Sequence, residues 1–249
     1  MRPQIAGQII MNKIDLKNSL KVSEFFYSIQ GEGPTAGHPA WFLRLTGCNL
    51  NCPWCDTTEV WRKGTRFLHS EIPPKFNHTS PDFLLGLEKG DHLIITGGEP
   101  MLQQDSIVQY LRWLGSLNPN LYVEVETNGT ILPSENLISI IDQWNVSPKT
   151  SNSNNILEKC EIENCYRFFQ KQSNTIFKFV VENPNDISEI LPIVEKYELD
   201  KSKIILMPQA STKEDLLSCE SLIKSLAQDN GFRYTSRLHI MNWGNTRGK

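Results

Sequence analysis

The chain lacks any run of about 18 apolar residues, the least that crosses a bilayer as a helix. Its N-terminus carries one short apolar patch, broken at Gln8, with neither the apolar core nor the small-residue cleavage site of a secretory signal. It lacks charge of one sign. Its 25 Lys and Arg against 28 Asp and Glu leave a net −3, too little for a long-range field that gathers nucleic acid or acidic membrane. There is no internal repeat, and no low-complexity block beyond SNSNN at 151–155. At 39% apolar and 21% charged residues, the composition excludes wholesale disorder, collagen and coiled coil. The expectation is a cytoplasmic protein with no membrane and no direct nucleic-acid partner. Cysteine is scarce as well, six in 249 residues, yet Cys48, Cys52 and Cys55 fall within eight. In a reducing compartment, clustered cysteines bind metal more often than they form disulfides.

Strand-like apolar runs alternate with amphipathic runs. WFLRL at 41–45 reads as a strand with the cysteine loop after it. Residues 58–80, with Gly64, Pro73 and Pro74, read as a long irregular connection, and Ser80-Pro81 caps a helix over DFLLGLEKG. HLIITGG at 92–98 is a short buried strand. DSIVQYLRWLGSL at 105–117 is an amphipathic helix with Ile107, Tyr110, Leu111 and Leu114 on one face. Strands follow at 121–129, 145–148, 176–182, 203–207 and 236–241, with helices near 134–143, 186–198 and 213–228. This alternation predicts right-handed crossovers and a mostly parallel α/β sheet, a barrel or partial barrel with its site at the C-terminal strand ends. An extension over 1–20 and a single domain over 21–249 are expected.

Three thiolates on the loop GCNLNCPWCDT can reach one metal centre. Structural zinc wants four protein ligands, so a zinc module would recruit Cys160, Cys165 or a histidine. A [4Fe–4S] cluster has four iron corners. Three cysteines leave one corner open, which suits a reactive cluster that binds a small molecule directly.

The spacing C-x3-C-x2-C after a first β-strand, WFLRL, with Trp54 before the last cysteine, resembles the radical S-adenosylmethionine enzymes. In these the open iron chelates S-adenosylmethionine, and one electron yields a 5′-deoxyadenosyl radical that abstracts substrate hydrogen. FYSIQGEGPTAGHPAWFLRLTGCNLNCPWCDT at 26–57, TGGEP at 96–100, ETNGT at 126–130, SPK at 147–149 and RLHI at 237–240 are similar to one family, 7-carboxy-7-deazaguanine synthase. The resemblance implies a lyase of queuosine and 7-deazapurine biosynthesis, of the partial (β/α) barrel class. It would convert 6-carboxy-5,6,7,8-tetrahydropterin to 7-carboxy-7-deazaguanine with loss of ammonia, aided by Mg²⁺ and regenerating S-adenosylmethionine. The competing readings are a glycyl-radical activating enzyme, which shares the cysteine spacing, and a non-catalytic zinc module.

The resemblance also implies site roles. Cys48, Cys52 and Cys55 hold the cluster, and Thr57 ligates Mg²⁺. Trp54, Cys55, Asp56, Gly98, Glu99, Ser147, Pro148, Lys149, Met207, Pro208 and Gln209 contact S-adenosylmethionine. Ile29, Gln30, Gly31, Glu32, Arg44, Thr96 and His239, the last on a strand, surround the pterin. A guanidinium suits a carboxylate in bidentate geometry, which fits Arg44 to a carboxylated substrate. Glu126, Thr127 and Asn128 read as a turn at the corresponding strand end. Cys160, Cys165 and Cys219 match no motif and are expected to be structural or surface thiols. The implied partners are a flavodoxin or ferredoxin as electron donor and a second copy in a homodimer.

Overall fold

The computed structural model describes residues 19–68, 72, 92–246 and 248. The helix expected at 82–90 and most of the expected N-terminal extension lie outside them. One open nine-stranded sheet organises the described residues. Its first strand, β1 (Ser19–Ile29), pairs antiparallel on one side with β2 (Pro39–Leu45) and on the other with β3 (Thr65–Leu68). From β2 the sheet continues in parallel through β4 (His92–Gly97), β5 (Tyr122–Thr127), β6 (Gln143–Val146), β7 (Thr175–Val181), β8 (Ile204–Pro208) and β9 (Arg233–Tyr234). β3 and β9 are its edges, so the sheet is open rather than closed.

Helices α1 (Thr58–Trp61), α2 (Gln104–Leu117), α3 (Glu135–Ile138), α4 (Leu157–Cys160), α5 (Glu163–Phe169), α6 (Asp186–Lys196), α7 (Lys213–Asp229) and α8 (Leu238–Trp243) lie between or after the strands. The apolar face of α2 is buried as its periodicity predicts: Ile107, Tyr110, Leu111 and Leu114 all join the main core. Each such side chain contributes about 1.5–3 kcal/mol. No helix among the described residues is long and apolar enough to cross a membrane.

Four local expectations fail. WFLRL is the second strand, because SLKVSEFFYSI forms the long β1 ahead of it; Glu24 sits beside a register shift in its pairing with β2 and interrupts the alternation. The segment after Cys55 is not wholly irregular, since α1 and β3 occupy it and β3 completes the antiparallel edge. The helix near 134–143 is a single turn, and its latter part feeds β6. Finally, RLHI is not a strand. The last strand is Arg233–Tyr234, and His239 sits on α8, which continues to Trp243 and ends at Gly244, where φ is +60°.

The two faces of the sheet differ. On β4, Leu93 and Ile95 enter the main core, while Ile94 packs with Ala40, Phe42 and Phe26 in a small separate cluster. On β5, Val123 and Val125 take the first face, whereas Glu124 and Glu126 alternate onto the second. Lys178 does the same within TIFKFVV, a strand whose seven residues are all buried. Charged side chains are almost never buried unless paired. A sheet face that gathers them is therefore a place where function outweighs packing.

Candidate active site

The cysteine loop runs from the end of β2 to α1 and is gripped by three neighbouring strand ends. Gly98 N donates to Leu45 O (3.1 Å) and Glu99 N to Gly47 O (2.8 Å). A Cβ at Gly98 would overlap Gly47 O, and Gly97 has φ +132° with Leu45 against it. The glycines of TGGEP are thus required by the close approach of the cysteine loop itself. After β5, Asn128 Nδ2 donates to Asn49 Oδ1 (2.9 Å) and Asn49 Nδ2 to Thr130 Oγ1 (2.8 Å). After β6, Trp54 Nε1 donates to Asn152 O (2.9 Å), Asn51 N to Asn155 Oδ1 (2.8 Å), and Asn155 Nδ2 to Cys52 Sγ (3.2 Å).

Cys48, Cys52 and Cys55 are free, half-buried thiols that face one cavity. Burial pushes the Cys48 thiol up to about 11 and raises Cys52 too, the latter against the pull of nearby Lys149. Leu50 N donates to Cys48 Sγ (3.4 Å), so two of the three sulfurs already accept an N–H. Among the described residues no three His, Cys, Asp or Glu side chains stand preassembled in metal-binding geometry. The donor set nevertheless fits a cluster with an open corner. Three soft sulfurs share one short loop, Cys160 and Cys165 are buried and do not line the cavity, and Cys219 lies on α7. No fourth thiol joins the cavity lining.

The cavity measures about 250 Å³. On its far side, the turn after β1 places Gln30, Gly31 and Glu32. Gly31 O accepts from Leu238 N (2.9 Å), and a Cβ at Gly31 would overlap His239 Nδ1, so glycine admits the start of α8. Glu32 pairs with Lys178 through Oε2 and with Arg237 Nε (3.1 Å) through Oε1, and His239 Nε2 lies 3.8 Å from the same Oε1. Arg237 also donates to Ala210 O and pairs with Asp56. Burial alone would raise the Glu32 carboxyl, but Lys178 and Arg237 outweigh it and hold it well below the usual range. Asp56 is lowered in the same way, by Arg237 against burial. Burial lowers His239, against Glu32, which keeps the imidazole neutral near pH 7. Glu126 accepts from Thr96 Oγ1 (2.8 Å) and Gln30 Nε2 (3.2 Å). The Nε of Arg44 meets Glu24 Oε2 at 2.8 Å.

The expected residues divide. Ile29, Gln30, Gly31, Glu32, Arg44, Thr96 and His239 line the cavity, as do the three cysteines with Trp54, Asp56, Thr57, Gly98, Ser147, Lys149, Met207 and Gln209. Glu99, Pro148 and Pro208 do not. The Glu99 side chain is fully buried and accepts from Met101 N, Thr127 Oγ1 and Asn128 N, so it braces the two strand ends. Lys178 and Arg237 were not expected in the site. The signal for Lys178 was legible as one lysine within an otherwise apolar strand. Arg237 was hidden by reading RLHI as a strand.

Residues 43–171 match the model of the radical SAM superfamily. The 7-carboxy-7-deazaguanine synthase of Pyrobaculum aerophilum is 37% identical, across 92% of this chain and 97% of that one. The chain belongs to the 7-carboxy-7-deazaguanine synthase family. The synthase of Halobacterium salinarum is 32% identical, across 90% of this chain and 91% of its own. A solved structure titled as QueE from Escherichia coli superposes with a TM-score of 0.63 at 21% identity, covering 89% of this chain and 95% of that one. That likeness shows the fold. Family membership brings a [4Fe–4S] cluster and S-adenosylmethionine with it, and it sets aside the zinc-module and glycyl-radical activase readings.

Proposed function

We propose that the cavity holds S-adenosylmethionine against the cysteine loop and a carboxylated tetrahydropterin against the Glu32 network, and converts 6-carboxy-5,6,7,8-tetrahydropterin to 7-carboxy-7-deazaguanine with loss of ammonia. One observation carries this reading: three free thiols and a buried carboxylate–cation network open onto the same space. When bound, the cluster and S-adenosylmethionine supply one-electron reductive cleavage and a hydrogen-abstracting radical.

The chain's own residues bind and orient. Lys149 is anchored on Ser147 O (2.8 Å) and lies 5.6 Å over the Trp54 ring, which fixes that wall of the cofactor half. Met207 and Gln209, at the end of β8, form another wall. In the substrate half, Glu32 is kept ionised and acceptor-only, suited to the amino and ring N–H edge of a pterin. The amide of Gln30 is oriented by Glu32 N and Glu126, and so presents a fixed pattern. Arg44, held by Glu24 through Nε, offers its terminal nitrogens to the substrate carboxylate. Neutral His239 can donate at one nitrogen and accept at the other. The Thr57 hydroxyl, on the cavity wall, is the hard oxygen that supports a Mg²⁺ role. One protein oxygen suffices where water and substrate supply the remainder.

The electron donor is proposed to be a flavodoxin or ferredoxin, and the assembly a cytoplasmic homodimer, tested by sedimentation. For the reaction, cluster-loaded chain is given reductant, S-adenosylmethionine, Mg²⁺ and the carboxypterin without oxygen. Formation of 7-carboxy-7-deazaguanine is expected. A fully loaded chain that forms none refutes the reading.

A further inference from the structure

SNSNN at 151–155 stands out in the sequence as the one biased block, and the reaction as described gives it no task. In the fold it follows the β6 end and hydrogen-bonds to the cysteine loop. Ser151–Ser153 make a 3-10 turn, and Asn154 leaves it in the left-handed region (φ 52°). That turn presents the half-buried Asn155 side chain to the loop. Asn155 Oδ1 accepts from Asn51 N (2.8 Å), while Nδ2 donates to Ser153 O (3.0 Å) and to Cys52 Sγ (3.2 Å). A backbone N–H at one end and a carbonyl at the other fix which end of the amide is oxygen. The donor therefore faces the sulfur by construction.

We propose that Asn155 is a positioning residue of the iron–sulfur site, holding its amide N–H on the Cys52 sulfur so as to stabilise the reduced cluster and retain it. This rests on Cys52 being a cluster ligand. On one-electron reduction, [4Fe–4S]²⁺ takes an electron from the external donor and becomes [4Fe–4S]⁺, with no bond made or broken. The added negative charge spreads onto the sulfurs, and an N–H aimed at one of them favours that state. Hydrogen bonds to sulfur are among the levers that set cluster potentials. Asn155 does not line the cavity, so its effect reaches the reaction through the cysteine loop, at Cys52 Sγ and Asn51 N.

The test is a mediated redox titration of the loaded chain, followed by electron paramagnetic resonance, on the parent, Asn155→Asp and Asn155→Ala. Aspartate keeps an acceptor for Asn51 N but replaces the donor with a negative charge, so its shift is compared with that of alanine, which removes the donor without adding charge. Both variants should reduce with an equilibrium constant about tenfold smaller, equal to about 59 mV for one electron, and lose iron to a chelator several-fold faster. Unchanged potential and unchanged iron loss in the loaded aspartate variant would overturn the proposal. Should the alanine variant fold by circular dichroism yet take up no cluster, Asn155→Gln, which keeps the amide, decides. Restored iron supports the proposal, and failure to restore it overturns it. Iron and sulfide analysis of the parent tests the ligand reading separately, because a parent without iron fails that reading before Asn155 is touched.

Discussion

The two halves of the cavity are built differently. The cysteine half is local: Cys48, Cys52, Cys55, Trp54, Asp56 and Thr57 come from one loop, and neighbouring strand ends hold it through backbone and asparagine contacts. The half proposed to take the pterin is assembled from afar. Glu32 follows β1, Glu126 ends β5, Lys178 sits within β7, and Arg237 and His239 open the last helix. The local half is held mainly by backbone and asparagine hydrogen bonds from its neighbours. The distant half is an ion network whose members are individually costly to bury, so each depends on the others. Damage to the first should therefore cost iron and leave the fold, while damage to the second should cost stability and substrate and leave iron.

Cys52→Ala should have the largest effect. Cluster iron and product formation should both be lost, with far-UV circular dichroism of the apoprotein unchanged; retention of activity would break the comparison at its strongest point. Lys178→Met should destabilise the apoprotein by about 3 kcal/mol in urea, the scale for removing one partner of a buried pair. Adding Glu32→Gln should recover most of that loss, and both variants should still take up iron. Gly31→Ala forces its new methyl against His239 and should cost about 1–3 kcal/mol of strain. It should raise the pterin KM more than it lowers kcat, with cluster spectra unaltered. The smallest effect is in pH. The folded pKa of Glu32 lies below its unfolded value near 4.3, so its contribution is complete above that value and is lost as pH falls through the folded one. Urea midpoints of the apoprotein, measured from pH 6 down to pH 3, should fall more steeply for the parent than for Glu32→Gln.

The same contrast explains what was legible in the sequence. The cysteine spacing, TGGEP, ETNGT and SPK are short segments at strand ends, and their side chains act where the chain puts them. The α2 face was readable because a 3.6-residue period of apolar side chains has one buried solution. RLHI misled because Ile240 packs as a core residue from a helix or a strand alike, and six residues are too few to show a period. Glu99 misled because its neighbourhood is right and its direction is wrong: it follows two glycines that line the cavity, yet its carboxylate turns to Thr127 and Asn128. Arg237 could not be read as a strut between Glu32 and Asp56, since that role exists only when residues about 180 to 205 apart meet.

The central claim is that both halves open on one reaction space. It is tested most directly by isotope transfer within the loaded, reduced chain. The pterin is deuterated at its non-exchangeable ring carbons and incubated with S-adenosylmethionine and Mg²⁺, and the S-adenosylmethionine is recovered for mass analysis. The account predicts deuterium in the recovered S-adenosylmethionine together with formation of 7-carboxy-7-deazaguanine. Product without deuterium in the cofactor, or cleavage of S-adenosylmethionine that leaves the pterin untouched, would contradict it.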